Sequence, residues 1–202
     1  MAWSEPSLKI VKGSVLAQVS QAHLTHQEQG TPLDKADIRA AFQAHHAPEV
    51  VIVTLNAPRA SESPFAAPVS PPRLMADCNA NVIAVMKEFN VCKIVIMQAF
   101  GVGDSWPNLH CVLRLLMKKS NMIYQYDDHN LVDKEVRASG LDYVLARPSR
   151  LKEGEAQGVK VWLNAGRRVP MMASITRTSV AHWLVDAAEG KTWDNTAPVI
   201  TN

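Results

Sequence analysis

Two short stretches are apolar at nearly every position: Val50-Val51-Ile52-Val53-Thr54-Leu55, and Ile94-Val95-Ile96-Met97 entered through Val91 and Cys92. Surface strands alternate apolar and polar residues, whereas runs apolar on both faces belong to parallel sheets covered by helices on both sides. Both runs are short and rich in β-branched residues, which selects strand over buried helix. Between them the period changes to that of a helix. Asp34–His45 sets Ile38, Ala41 and Phe42 on one face, with Asp34 as N-cap. Met75–Asn90 repeats the pattern with Met75, Val82, Ile83, Met86 and Phe89, and Tyr126–Ser139 does so with Leu131, Val132 and Val136 before a Gly140 C-cap.

Leu141–Arg147 reads as a further strand stopped by Pro148. Val159, Val161 and Leu163 alternate with polar neighbours, which predicts an outer strand before Gly166. Thr178–Ala188 is a last helix closed by Gly190, and Pro198–Thr201 adds a short edge strand. Strand, helix, strand, helix, strand in one domain over residues 1–202 predicts an α/β fold with a parallel sheet. Residues 17–32 are polar and patternless, and residues 58–72 hold five of the twelve prolines; both read as surface loops. The second follows the C-terminal end of a strand, where α/β proteins build their sites.

Composition narrows the function. With 21 basic and 19 acidic residues the net charge is +2, and no Lys/Arg run supplies a footprint for nucleic acid or an anionic membrane. No apolar stretch has the length of a membrane helix, and the first residues, Met-Ala-Trp-Ser-Glu-Pro, lack the pattern of a secretory signal. Cys78, Cys92 and Cys111 are odd in number and widely spaced, which places the chain in the reducing cytoplasm.

Several motifs fail. Gly101-Val-Gly103-Asp-Ser-Trp106 begins like a dinucleotide turn, but Trp106 replaces the third glycine and Pro107 follows. No Walker sequence or H-E-x-x-H occurs; Ser105 and Ser149 lack a nucleophile elbow, and His23 and His26 lack partners for a metal. Asp127-Asp128-His129 reads as the opening of a helix. Simple capping explains the carboxylates, and a histidine beside them near the sheet's C-terminal edge has the chemistry to move a proton.

In order and spacing the segments Ile10–Leu16, Val50–Ala57, Asn81–Glu88, Lys93–Phe100, Tyr126–Asn130, Arg137–Tyr143, Arg147–Leu151 and Ile175–Ala181 resemble the atypical short-chain dehydrogenases/reductases, of the NmrA-like and biliverdin reductase B/flavin reductase type. The resemblance covers nearly the whole chain apart from the two loops. It implies a Rossmann-like sheet with helices on both faces, and here a truncated one. The family's first strand, glycine-rich G-A-T-G-x-x-G turn, helix and second strand have no counterpart in the sequence. That turn cradles the diphosphate with main-chain N–H groups, and the expectation is that this chain lacks such a cradle. It also leaves the Val50–Leu55 strand without its family neighbour. Either Leu8–Val11 moves over to pair with it, or a partner subunit covers it as a homo-oligomer.

The resemblance implies NADP or NAD as cofactor, touched by Ser14, Leu55, Asn56, Ala57, Arg59, Pro148 and Arg150, and an apolar, aromatic or quinone-like small molecule as substrate. Gln98 stands where family members carry a small hydroxyl residue. Gln98, Tyr126, Asp128 and His129 are the candidate catalytic residues, in a cleft walled by Phe100, Trp106, Tyr124, Trp162, Met171 and Met172. Three functions follow from one scaffold: an NAD(P)H-dependent oxidoreductase, a cofactor-free isomerase, dehydratase or cyclase in the same pocket, or an NmrA-like regulator without catalysis.

Overall fold

A computed structural model describes residues 30–44, 47–61 and 63–202. Its main sheet has the order β1-β2-β3-β7-β5, with β1 Val50–Val53, β2 Lys93–Met97, β3 Asp142–Pro148, β5 Lys160–Trp162 and β7 Val199–Thr201. The first four run parallel and β5 pairs antiparallel with β7. A second, two-stranded sheet joins β4 (Arg150–Lys152) to β6 (Ser174–Thr176). The helices are α1 Lys35–Gln43, α2 Leu74–Glu88, α3 Cys111–Lys118, α4 Met122–Arg137 and α5 Arg177–Glu189.

The central strands are apolar on both sides because both sides are covered. Val53, Ile94, Ile96 and Leu145 face α1, α2 and α4, where Ile38, Met86 and Val132 meet them. Val95, Val144, Ala146 and Ile200 face α5 through Val180, Trp183 and Leu184. Each fully buried aliphatic side chain contributes about 1.5–3 kcal/mol. A smaller cluster of Phe100, Leu109 and Val199 lies beyond the C-terminal end of β2, with Trp106, Leu113 and Met117 packed on it.

Local rules set the helix ends. Asp34 caps α1 through its carboxylate, which accepts the Ala36 N–H at 2.7 Å. Thr176 does the same for α5, and Gly190 closes that helix. Other expectations need correction. Pro148 does not stop β3 but is its last residue, paired with Ile200. The N–H groups of Arg147 and Ser149 point to β7, so the N–H that proline lacks falls on the side facing β2, and its carbonyl still accepts the Phe100 N–H at 3.0 Å. The C-terminal strand is not at the edge: β5 pairs outside it, and β7 is buried throughout. Helix α4 begins four residues before Tyr126, and its C-cap is Ala138, with Gly140 taking a left-handed turn just after. Among the described residues β1 pairs on one side only; Leu8–Val11, proposed as its neighbour, lies outside them.

Candidate functional site

The parallel strands end at a crest formed by residues 54–57, 98–101 and 148–150, and α4 organises it. Successive α4 side chains reach different loops. Gln125 donates to the Ala57 carbonyl and, at 3.2 Å, to Asn56 Oδ1, both just past β1. The Tyr126 hydroxyl donates to the Phe100 carbonyl at 3.0 Å, just past β2. Asn130 Oδ1 accepts the Gly103 N–H at 2.9 Å. In return, Gln98 Nε2 donates to the His129 carbonyl at 3.1 Å.

Asp128 serves another element. Its two carboxylate oxygens accept the N–H groups of Met75 and Ala76, at 2.8 and 3.0 Å, at the start of α2. Asp127, Asp128 and His129 therefore do not open a helix, as their sequence suggests; they lie in the second turn of α4, and the helix Asp128 caps is α2. Burial raises the Asp128 pKa and its two N–H partners oppose that shift.

The remaining inner groups are neutral near pH 7. Burial pushes the His129 imidazole down to about 4 and the Tyr126 phenol up to about 12. Gln98 is buried with its amide N–H spent on His129, so its free group is the acceptor Oε1. Ser149 is buried too, and its Oγ has no partner among the described residues. These two follow directly on the ends of the adjacent parallel strands β2 and β3. The last rung sets Met97 opposite Ala146, so Gln98 faces Arg147 and Ser149 follows two residues on. The arrangement offers hydrogen bonds to a ligand rather than a charged acid or base.

Beside this neutral cluster sits an ionic knot. Arg147 is fully buried and donates to Asp133 on α4 at 2.7 Å and to Asp104; Asp133 also accepts from Arg137 at 2.9 Å. The knot fixes the 3-10 turn Gly103–Asn108, which holds Trp106 edge-on to Tyr126 with ring centres 6.0 Å apart. Gly101, at φ +101°, is required there, because a Cβ would lie 3.0 Å from Tyr126 Cε1 and 3.1 Å from Leu109 Cδ2.

The structure thus gathers Gln98, Tyr126, His129 and Pro148 at the ends of β2 and β3, with Leu55, Asn56 and Ala57 beyond β1. Arg59 is turned into its own loop, bonded to the Ser63 carbonyl at 2.6 Å. Arg150 is exposed on β4, and Ser14 lies outside the described residues. Of the expected walls, Phe100, Trp106 and Trp162 share one apolar cluster, while Tyr124, Met171 and Met172 are exposed. Gln125 and the ionic knot were not signalled by the sequence. Among the described residues no three His, Cys, Asp or Glu side chains converge to hold a metal, and no helix is long and apolar enough to cross a membrane.

The sequence model of a family described as NAD(P)H-binding matches residues 10–191. The chain belongs to that family. Its fold is that of the atypical short-chain dehydrogenases/reductases. ChuY of Escherichia coli O157:H7, described as an anaerobillin reductase, is 18% identical, with 85% of this chain and 72% of that one covered at a TM-score of 0.64. ChuY of E. coli CFT073 is 19% identical over 84% and 78%, at 0.61. A wide-type short-chain dehydrogenase/reductase of Veillonella parvula DSM 2008, solved in complex with NADP, is 13% identical over 86% and 70%, at 0.63. Comparison with curated proteins found no match. Open α/β sheets bind their ligands outside the carboxyl ends of the strands, and in this fold the crest of β1, β2 and β3 is that edge.

Proposed function

We propose that the protein is an NAD(P)H-dependent reductase acting on an apolar, aromatic or quinone-like small molecule. The observation that carries this reading is the pair of buried polar atoms at the crest, Gln98 Oε1 and Ser149 Oγ, that have no partner among the described residues. A buried polar atom without a partner costs roughly 1–3 kcal/mol. A ligand edge with an N–H beside a carbonyl satisfies both: Gln98 accepts the N–H and Ser149 donates its O–H to the carbonyl. The carboxamide of a nicotinamide ring has that edge, so the crest residues fit the ring end of the cofactor. When bound, the dinucleotide supplies a hydride.

The chain's own residues orient and enclose. Gln98 and Ser149 hold the carboxamide, Pro148 backs it, and Leu55, Asn56 and Ala57 line the approach from β1. The family resemblance also names Arg59, Arg150 and Ser14 among the residues that touch the dinucleotide. Tyr126, whose O–H donates to the Phe100 carbonyl just past β2, keeps its proton at neutral pH, and the buried His129 stays uncharged.

Fluorescence titration with NADPH and NADH tests this. Saturable binding that quenches or shifts nicotinamide emission supports the reading, and no saturation at millimolar nucleotide removes it.

A further inference from the structure

Helix α3 shows an apolar stripe to solvent. Val112, Leu115 and Leu116, at i, i+3 and i+4, are 58%, 60% and 38% exposed, while Leu113 and Met117 on the other side pack against the Phe100 cluster. Phe65, exposed by 62%, belongs to a neighbouring loop: its carbonyl accepts from Asn121 Nδ2 at 3.0 Å, which ties that loop to the α3–α4 junction. Single exposed apolar residues need no explanation, whereas a group of them on one element marks an interaction surface.

The same face is basic. Lys118 and Lys119 follow Leu115 by three and four residues, so they share its side of the helix, and both are exposed. Val169 packs on the Phe100 cluster together with Leu113 and Met117, so the loop that carries the exposed Arg167 and Arg168 is anchored on the cluster that seats α3. Residues 111–119 and 163–173 contain Arg114, Lys118, Lys119, Arg167 and Arg168 and no carboxylate, in a chain whose net charge is only +2. None of these five makes an ion pair with another described residue, whereas Arg39, Arg73, Lys93, Arg137, Arg147 and Arg177 all do. The cations come from two segments distant in sequence, so no run of Lys and Arg announces them.

This mixture selects the occupant. Two copies of the chain meeting here would set like charges together. The centre of a protein interface is depleted in lysine, yet here two lysines share a face with the exposed leucine. An anionic bilayer takes both kinds of side chain: the aliphatic ones enter below the headgroups, and lysine and arginine stems reach back to the phosphates. We propose that the outer face of α3 docks the protein on an anionic lipid surface, with Val112, Leu115 and Phe65 entering the interface and Arg114, Lys118 and Lys119 meeting the headgroups. The helix lies on the bilayer and does not span it. This docking surface is independent of the reductase reading.

Co-sedimentation of the full chain with vesicles tests it, using phosphatidylcholine alone and phosphatidylcholine mixed with phosphatidylserine. Binding to the mixed vesicles should exceed binding to the neutral ones by roughly tenfold or more, and should fall away at about 1 M salt, where the Debye length is about 3 Å. Lys118→Gln with Lys119→Gln should weaken it roughly tenfold. Val112→Ser with Leu115→Ser should weaken it by a similar factor with every charge in place. Lys35→Gln with Lys87→Gln, exposed positions on α1 and α2, should leave it unchanged. Equal binding to both vesicles, binding to neither, or indifference to either α3 variant overturns the proposal. So does binding to soluble polyglutamate but to no vesicle, which gives the face to an acidic protein. A dimer in analytical ultracentrifugation that Leu115→Ser dissolves also overturns it and gives the face to a second copy. NADPH titration separates this surface from the reductase reading. Nucleotide binding without vesicle binding removes the docking surface alone, and vesicle binding without nucleotide binding removes the reductase alone.

Discussion

The Asp128 carboxylate on α4 accepts the N–H of Met75 at 2.8 Å, holding the start of α2 from 53 residues away. Capping from a distant element stabilises α2 much as a local cap does, because Arg73 before it offers no side-chain bond. Asp128→Ala should lower stability by about 2 kcal/mol, a fall of roughly 4–8 °C in Tm for a chain this size. Thermal unfolding followed by circular dichroism measures it, and Asp128→Asn should recover part of the loss.

Arg147 and Asp104 form an ion pair with unequal stakes. The guanidinium is fully buried and the Asp104 side chain is 66% exposed. Arg147→Met leaves Asp133 buried with only Arg137 to balance it and should cost about 3–5 kcal/mol. Asp104→Asn, at the wet end of the knot, should cost less than about 1 kcal/mol. Urea unfolding of both variants gives the comparison.

His129 makes stability depend on pH. Burial holds its folded pKa near 4, below the ordinary value of 6.5, so the folded chain resists a proton that the unfolded chain accepts. The contribution is complete above pH 6.5 and is lost as pH falls toward 4, to a total of about 3 kcal/mol. Relative to the parent, His129→Leu should show a flatter stability profile between those limits and an unchanged slope above them. Chemical denaturation at stepped pH values reads the difference.

Gln98 and Ser149 should matter for nucleotide more than for folding. Each lacks a partner for one polar atom among the described residues, so Ser149→Ala removes no hydroxyl bond to any of them. Loss of one ligand hydrogen bond should raise the NADPH Kd by roughly tenfold or less. Gln98→Leu should do the same with an added stability loss, since the bond to the His129 carbonyl goes with it. Calorimetric titration beside a melting curve separates the two effects. If turnover of a substrate proceeds without nucleotide and falls in these variants, the cofactor-free reading gains instead.

The parallel sheet was legible because its strands are buried on both faces, and Val50–Val53 and Lys93–Met97 advertise that in composition. Helix α3 was not, since its clearest stripe faces outward and its N-cap is the imidazole of His110, which accepts the Val112 N–H at 3.4 Å. The start of α4 was missed for a related reason: Asn121 makes no side-chain cap. At the site, Asp128 and His129 look like partners in the sequence, but adjacent helical residues project in different directions: Asp128 reaches the first turn of α2, and His129 is buried without a carboxylate partner among the described residues. The link from Arg147 to Asp133 and Asp104 spans 14 and 43 residues and leaves no periodic trace.

Helix α4 fastens the loops after β1 and β2 and, through Asp128, the first turn of α2. Those three regions share a single mooring and should open as one cooperative unit. Amide hydrogen exchange at Ala57, Gly101 and Ala76 should then slow in concert when a ligand docks, and quicken in concert when the mooring is cut at Gln125 or Tyr126.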